Sequence, residues 1–388
     1  MRLNEKDIAR HRRVYALAKR LLGWWLRRKF RYSFDIGEPI AGPYILVANH
    51  NLDWDPLLLG LAFPHMYFVA SEHLFMKGFV SKLLAYFVSP VPRLKGSVDF
   101  RTVLDVRSRL KKGCSVCIFP EGNRSLDGRT GPLHPTTGKF LKACGVPLVT
   151  YRLEGGFLTS PRWSHTLRKG RMKGRLVGVY TTERLERISP GEIEAAVNRD
   201  LFEDAYATQE KERVPYRGKR LAKGLETAIF MCPVCNRMGR MKSTDSRLVC
   251  ECGAGAEYDE YGYFRGGVPF STFTEWYDWQ CGRLRELAGT DASLELTDRE
   301  VAVYSIDRAK KRRQLCLGTI AMTRYLLKIY DGTRALLSCP LKEISDMSIY
   351  GRNTMVFSAG GRYYELKSSL EFNARKYLHL FQFVKSSP

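Results

Sequence analysis

The chain has 388 residues, and 63 Lys+Arg against 40 Asp+Glu give it a formal net charge of +23. Hydrophobic residues at 44% and charged residues at 27% describe a globular chain long enough for several domains, which excludes an intrinsically disordered or low-complexity protein. No apolar stretch reaches the ~18–20 residues that span a bilayer, and Leu57 to Ala70 is broken by Pro64 and His65, so neither a transmembrane segment nor a secretory signal is expected.

Residues 1–35 are strongly basic, from Arg2 and Lys6 to Lys29 and Arg31, against only Glu5, Asp7 and Asp35. Val14, Ala18, Leu21 and Trp25 recur at helical spacing, widened by Tyr15, Leu22 and Leu26, with Lys19, Arg20, Arg27 and Arg28 beside them. A basic amphipathic helix carrying Trp24 and Trp25 fits an in-plane membrane helix, where each cation near an anionic leaflet contributes ~1 kcal/mol. An ordinary helix packed on its own domain is the alternative, and the two hold together if different parts of the helix serve each.

Tyr44–Ala48 reads as a strand buried on both faces, ending in Asn49-His50-Asn51-Leu52-Asp53-Trp54-Asp55-Pro56. Asp55 is expected to cap a helix with Pro56 at its first position. Met66–Ala70 predicts a strand, Phe75–Phe87 a helix, and Asp99 the cap of another helix running to Lys112. Cys114–Phe119 and Val146–Tyr151 predict two more buried strands. Strands alternating with helices make residues 36–215 an α/β domain with a mostly parallel sheet. Within it, Arg162–Arg175 is a second basic run without an acid, either a surface for anionic lipid or an acidic carrier, or a solvated turn. Arg308–Arg313 is a third. So concentrated a charge calls for a polyanionic partner, nucleic acid or an anionic membrane.

Residues 216–268 form a connector and a cysteine cluster. Cys232-Pro-Val-Cys235 and Cys250-Glu-Cys252-Gly253 have the spacing of a zinc ribbon, two close pairs whose four thiolates converge on one structural zinc. Four thiolates leave no open position, so the metal is expected to clamp and not to catalyse. Ribbons also occur in nucleic-acid-binding proteins, which keeps a non-catalytic docking module as a rival of another class. Cys114 and Cys117 mimic such a pair, but three residues apart on a strand they face opposite ways. Residues 269–388 read as a linker followed by seven short strands, from Leu294–Ser305 to Tyr363–Lys367, and a closing helix over Leu370–Val384.

The chemistry is concentrated in two loops. His50 and Asp55 lie where a buried strand turns into a helix. A carboxylate on one imidazole nitrogen fixes the tautomer while the other nitrogen takes a proton from a nucleophile. No serine is placed to be that nucleophile, so a substrate hydroxyl takes the role. Phe119-Pro-Glu-Gly-Asn-Arg-Ser125 follows the next buried strand, at the kind of sheet edge where ligands bind. There Arg124 offers a planar fork suited to a phosphate, and Arg93, Lys95 and Arg101 supply cations from an earlier loop.

Asn49-His50-x4-Asp55 and Phe119–Ser125 resemble the glycerolipid acyltransferases, most closely the 1-acylglycerol-3-phosphate acyltransferases. Pro92-Arg-Leu-Lys-Gly96 resembles the family's second block and Val146-Pro-Leu-Val149 its fourth, so the likeness covers about residues 36–185. It implies acyl transfer from a thioester to the hydroxyl of lysophosphatidic acid, giving phosphatidic acid, with His50 as base and Asp55 orienting it. Glycerol 3-phosphate or another lysolipid is the alternative acceptor. Asn49 belongs to the first block; Glu121, Gly122 and Arg124 fall on the block assigned to the acceptor phosphate, and Pro147 on the one associated with the acyl donor. Lys95 stands where the family usually has Arg, which keeps the charge and loses bidentate geometry, and Asn123 stands where Thr is usual. The C-terminal seven strands and helix resemble pleckstrin-homology-like (PH-like) domains, which implies membrane or protein docking. The combined expectation is a peripheral enzyme on the cytoplasmic face of a membrane. Its acyl donor is acyl-CoA or acyl carrier protein, and nucleic acid is disfavoured.

Overall fold

A computed structural model describes residues 3–38, 40–71, 86–93, 100–307, 312–368 and 372–386. The chain divides into two compact units, one of residues 1–161 with 168–217, the other of 162–167 with 218–388.

The first unit opens with α1 (Glu5–Phe30), started by an Asn4–Asp7 capping box and stopped at Arg31, whose backbone is left-handed. There follow β1 (Ser33–Asp35), β2 (Ile45–Ala48), α2 (Asp55–Ala62), β3 (Met66–Ser71), β4 (Val91–Arg93), α3 (Phe100–Lys111), β5 (Ser115–Ile118), α4 (Thr137–Cys144) and β6 (Leu148–Glu154). The unit closes with a single turn α5 (Gly156–Thr159), then β7 (Lys173–Tyr180), α6 (Thr182–Arg187), α7 (Pro190–Leu201) and α8 (Ala205–Glu212). The seven strands form one sheet, β1-β7-β6-β2-β5-β3-β4, parallel except where β7 runs against β6. Central strands alternate between two cores. Ile45, Val47, Val116 and Leu148 pack on one face of the sheet, and Leu46, Ala48, Cys117 and Val149 on the other. Cys114 and Cys117 accordingly belong to different cores.

The expected strands and the helix after Asp99 appear within a few residues of their sequence limits. Two details differ. Helix α2 begins at Asp55 with Trp54 as its cap residue, because the Asp55 side chain bonds backward to the preceding loop. The expected helix Phe75–Phe87 lies, up to residue 85, outside the described residues, as does Lys95.

Helix α1 uses two faces. Ile8, His11, Gly23, Leu26 and Phe30 are buried against the unit, and Tyr15 and Lys19 bond the Gly60 and Phe63 carbonyls at 3.1 Å each. Leu17, Leu21 and Trp24 remain 57%, 66% and 70% exposed on the opposite side. The apolar face expected from spacing is thus split: Leu26 and Tyr15 pack inward, and Leu21 points out. No helix among the described residues is long and apolar enough to cross a membrane.

The second unit holds a four-stranded antiparallel sheet, β8 (Met241–Ser243), β9 (Arg247–Cys250), β10 (Gly255–Tyr258) and β11 (Phe264–Arg265). The stretch expected as linker is instead the 18-residue helix α9 (Phe273–Thr290), opened by a Thr272–Glu275 capping box. Then come seven antiparallel strands, β12 (Leu296–Ile306), β13 (Arg312–Met322), β14 (Leu326–Asp331), β15 (Arg334–Pro340), β16 (Asp346–Tyr350), β17 (Thr354–Ala359) and β18 (Arg362–Lys367), in the order β15-β14-β13-β12-β18-β17-β16. Helix α10 (Ala374–Ser386) caps them, inserting Tyr377, Leu380 and Phe381 into their core. This is the PH-like arrangement expected from the sequence. Of the third basic run, residues 308–311 lie outside the described residues.

The second basic run is not an open cationic surface. Arg162 and Arg168 are buried, Arg162 donating to the Ile349 and Gly351 carbonyls at 2.9 and 3.1 Å. Arg171 and Lys173 pair with Glu212, and Arg175 with Glu154. Most of the run's charge is therefore met within the protein.

Candidate active site

Parallel strands place their C-terminal ends along one edge, and register decides which residues meet there. Val47 is opposite Ile118 and Ala48 opposite Tyr151, so His50 emerges beside Glu121 on one side and Leu153 on the other. This brings the two sequence motifs together.

His50 Nδ1 lies 2.9 Å from Asp55 Oδ2, and the same oxygen accepts the Asn51 and Leu52 N–H groups at 2.7 and 2.9 Å. Asp55 is fully buried, while the His50 side chain keeps 21% exposure. The imidazole stacks on the Phe119 ring at 4.4 Å between centroids. Its Nε2 has no partner among the described residues. A ring fixed at Nδ1 by a carboxylate, held flat by an aromatic and open at Nε2 can accept a proton from a bound hydroxyl.

Glu121 bridges the two loops, Oε1 accepting the His50 N–H and Oε2 the Gly131 N–H, both at 2.7 Å. Desolvation pushes its carboxyl up to about 8, although both N–H groups favour the ionised form. Gly122 has φ 70° and makes the tight turn, its N–H reaching the Phe119 carbonyl at 3.1 Å.

Arg124 is at the site, but its fork is engaged: Nε donates to the Asn51 carbonyl at 3.0 Å, Nη1 to Asp53 at 3.1 Å, and Nη2 to the Ser160 carbonyl. Asn49 is fully buried, its Nδ2 donating to the Leu153 carbonyl and its Oδ1 accepting the Leu153 N–H, which turns it away from any substrate. Arg101 sits in the first turn of α3. Pro147 is not brought to the others, because it precedes β6 at the N-terminal edge, opposite the edge that carries His50.

Three roles go unassigned in the sequence, two of them at residues inside the motif segments. Phe119 supplies the stacking surface, Asn51 ties the loop, and Glu203, far along the chain, sits behind His50. Glu203 Oε2 accepts from Asn51 Nδ2 at 2.5 Å and Asn49 Nδ2 at 3.3 Å, and Oε1 accepts the Gly155 N–H at 2.9 Å. Burial raises its carboxyl to about 8 as well. Nothing in the local sequence around Glu203 announces this.

Residues 11–154 match the Acyltransferase family model. The first unit carries an acyltransferase domain. A chloroplastic 1-acyl-sn-glycerol-3-phosphate acyltransferase of Brassica napus is 34% identical over 121 residues, 29% of this chain and 33% of the relative, so the chain spans about a third of the length of this curated relative. Among solved structures, the 1-acyl-sn-glycerophosphate (LPA) acyltransferase PlsC of Thermotoga maritima aligns over 54% of this chain and 85% of its own, with 19% identity and a TM-score of 0.43. The N-terminal PH domain of human ARAP2 aligns over 24% and 80%, with 14% identity and a TM-score of 0.20.

In the second unit the sulfurs of Cys232, Cys235, Cys250 and Cys252 all lie within 4.8 Å of one another, with Cys232–Cys252 and Cys235–Cys250 separations of 3.7 Å. Four sulfurs at the Zn–S distance of about 2.3 Å on a tetrahedron stand ~3.8 Å apart, so the cluster is compatible with zinc. Burial pushes the Cys232 thiol up, although the Cys235 and Val234 N–H groups favour its thiolate, whereas the Ala254 N–H brings the exposed Cys252 down to about 7.

Proposed function

We propose that the protein is a peripheral membrane acyltransferase that moves a fatty acyl group from an acyl thioester to the hydroxyl of lysophosphatidic acid, giving phosphatidic acid. The observation that carries this reading is the His50–Asp55 pair at the C-terminal sheet edge, with Nε2 open and the His50 backbone N–H held by Glu121. His50 Nε2 takes the hydroxyl proton as the oxygen attacks the thioester carbonyl. Asp55 holds the tautomer and offsets the charge on the imidazolium. The tetrahedral intermediate then collapses, the C–S bond breaks, and the proton passes from His50 to the departing thiolate. We assign Lys95 and Arg101 to the acceptor phosphate as cations, and to Arg124 the bracing of the loop, where its fork donates to the Asn51 and Ser160 carbonyls.

The exposed Leu17, Leu21 and Trp24 stripe of α1, with Arg20 and Arg28 beside it, supports work at an anionic lipid surface on the cytoplasmic face. We assign a structural zinc to the four cysteines and a docking role to the PH-like domain.

The test is acyl transfer on mixed vesicles containing lysophosphatidic acid, with acyl-CoA and acyl carrier protein donors supplied in parallel and product read by mass spectrometry. Phosphatidic acid from the wild type and none from His50→Ala is the expected result. Product only with glycerol 3-phosphate or another lysolipid would reassign the acceptor. No product with any acceptor would leave a docking module.

A further inference from the structure

We propose that Glu203 is a positioning residue for the base, acting through Asn49 and Asn51, the two residues that flank His50. This rests on the proposed role of His50.

Residues two apart on an extended segment point to one side, and the residue between them points to the other. Asn49 and Asn51 obey this: both amides donate to the Leu153 carbonyl, at 2.8 and 3.0 Å, and both reach Glu203 Oε2. His50, between them, faces Phe119 and Asp55. One carbonyl and one carboxyl oxygen thus hold both neighbours of the base from behind. The hold reaches the chemistry through the backbone, since the Asn51 N–H is one of the donors to Asp55 Oδ2.

The carboxyl is itself fixed. Its Oε1 accepts the Gly155 N–H, and the Glu203 backbone N–H donates to Thr130 Oγ1 at 2.9 Å while its carbonyl accepts the Thr130 N–H at 3.0 Å. Space is reserved for the arrangement at Gly156, where an added Cβ would meet the Asn51 Cβ at 2.5 Å. Two amide donors aimed at one oxygen require an acceptor there. A Gln in its place offers, in one orientation, a donor against donors, and in the other loses the acceptor for Gly155.

The experiment uses the full chain and compares the wild type, Glu203→Gln, Asn51→Asp and the double variant, each checked for an unchanged far-UV spectrum. Expected is a fall in kcat of about 10–100-fold in each single variant at nearly constant KM for the acceptor, and partial recovery in the double, where the Gln amide donates to the new carboxylate although the Leu153 carbonyl loses its Asn51 donor. A rise in KM alone, or a double variant as poor as the singles combined, overturns the proposal. A second readout needs no activity: the rate at which diethyl pyrocarbonate modifies His50, resolved by mass spectrometry with His134 as internal reference. It should change at least threefold in Glu203→Gln and return in part in the double; an unchanged rate overturns the positioning role. If the wild type transfers no acyl group, the reaction assignment fails and this second readout still decides the proposal.

Discussion

The N–H of His50 donates to Glu121 Oε1 at 2.7 Å, so the backbone of the proposed base in one motif is held by the side chain of the other. Register explains the contact, because β2 and β5 run parallel with Val47 opposite Ile118, and the same pairing continued three residues joins 50 to 121. The two loops are one structure.

Asp55→Asn should lower kcat by about 10²–10⁴-fold with little change in KM for the acceptor, since the amide no longer holds the tautomer that exposes Nε2 as acceptor. Steady-state kinetics on vesicles check this. A loss confined to KM would remove Asp55 from the chemistry.

Arg124→Lys breaks the fork that joins the Asn51 carbonyl, Asp53 and the Ser160 carbonyl. The expected result is a fall in kcat of roughly tenfold for acceptors with and without a phosphate alike, because the planar donor set is lost from the loop. A selective loss for phosphate-bearing acceptors would assign Arg124 to the headgroup instead.

The pH dependence of stability follows from Glu121 and Glu203, both raised to about 8 from the ordinary value of 4.5. Between those values the folded state binds more protons than the unfolded state, so these groups make stability fall as pH rises from about 5 to 8. Thermal midpoints measured across that range should decline, and Glu203→Gln should flatten the slope. A slope identical to that of the wild type would contradict the raised value for Glu203.

Leu17→Gln with Trp24→Gln removes exposed apolar surface from α1 and leaves its packed face intact. Affinity for anionic vesicles should drop at least tenfold with the thermal midpoint unchanged, read by co-sedimentation. Equal binding would move membrane contact elsewhere.

Metal analysis of the purified protein should find one zinc per chain, absent from Cys232→Ser and Cys250→Ser. Full retention in both would refute the four-sulfur set, whose 3.7 Å pair separations match tetrahedral ligation.

Much of the first unit's sheet was legible because its central strands are short apolar runs bounded by turn residues, and in the second unit strands such as β14 and β18 alternate between buried and less buried positions. The His50–Asp55 pair was legible because its members are five positions apart. Glu203 was not, since it meets Asn51 across 152 positions and only the fold brings them together. The engagement of Arg124 was hidden for a related reason: its partners are backbone carbonyls, which no side-chain motif encodes. Helix α9 did carry a signal, the Thr272–Glu275 box followed by Phe273, Trp276, Tyr277, Leu284 and Ala288 at helical spacing, but the stripe is interrupted by the buried Gln280.

Trp24 and Trp25 are neighbours in sequence with opposite surroundings. Trp24 faces outward, whereas Trp25 meets Trp54 at 5.8 Å with the Lys29 ammonium over both rings, and Trp54 immediately precedes Asp55. Successive residues on a helix are set about 100° apart, and the backbone between them does not yield. One helical step therefore separates an indole offered to the surroundings from one that touches the residue next to Asp55, so the outer face of α1 and the loop of the proposed base share a single rigid neighbour.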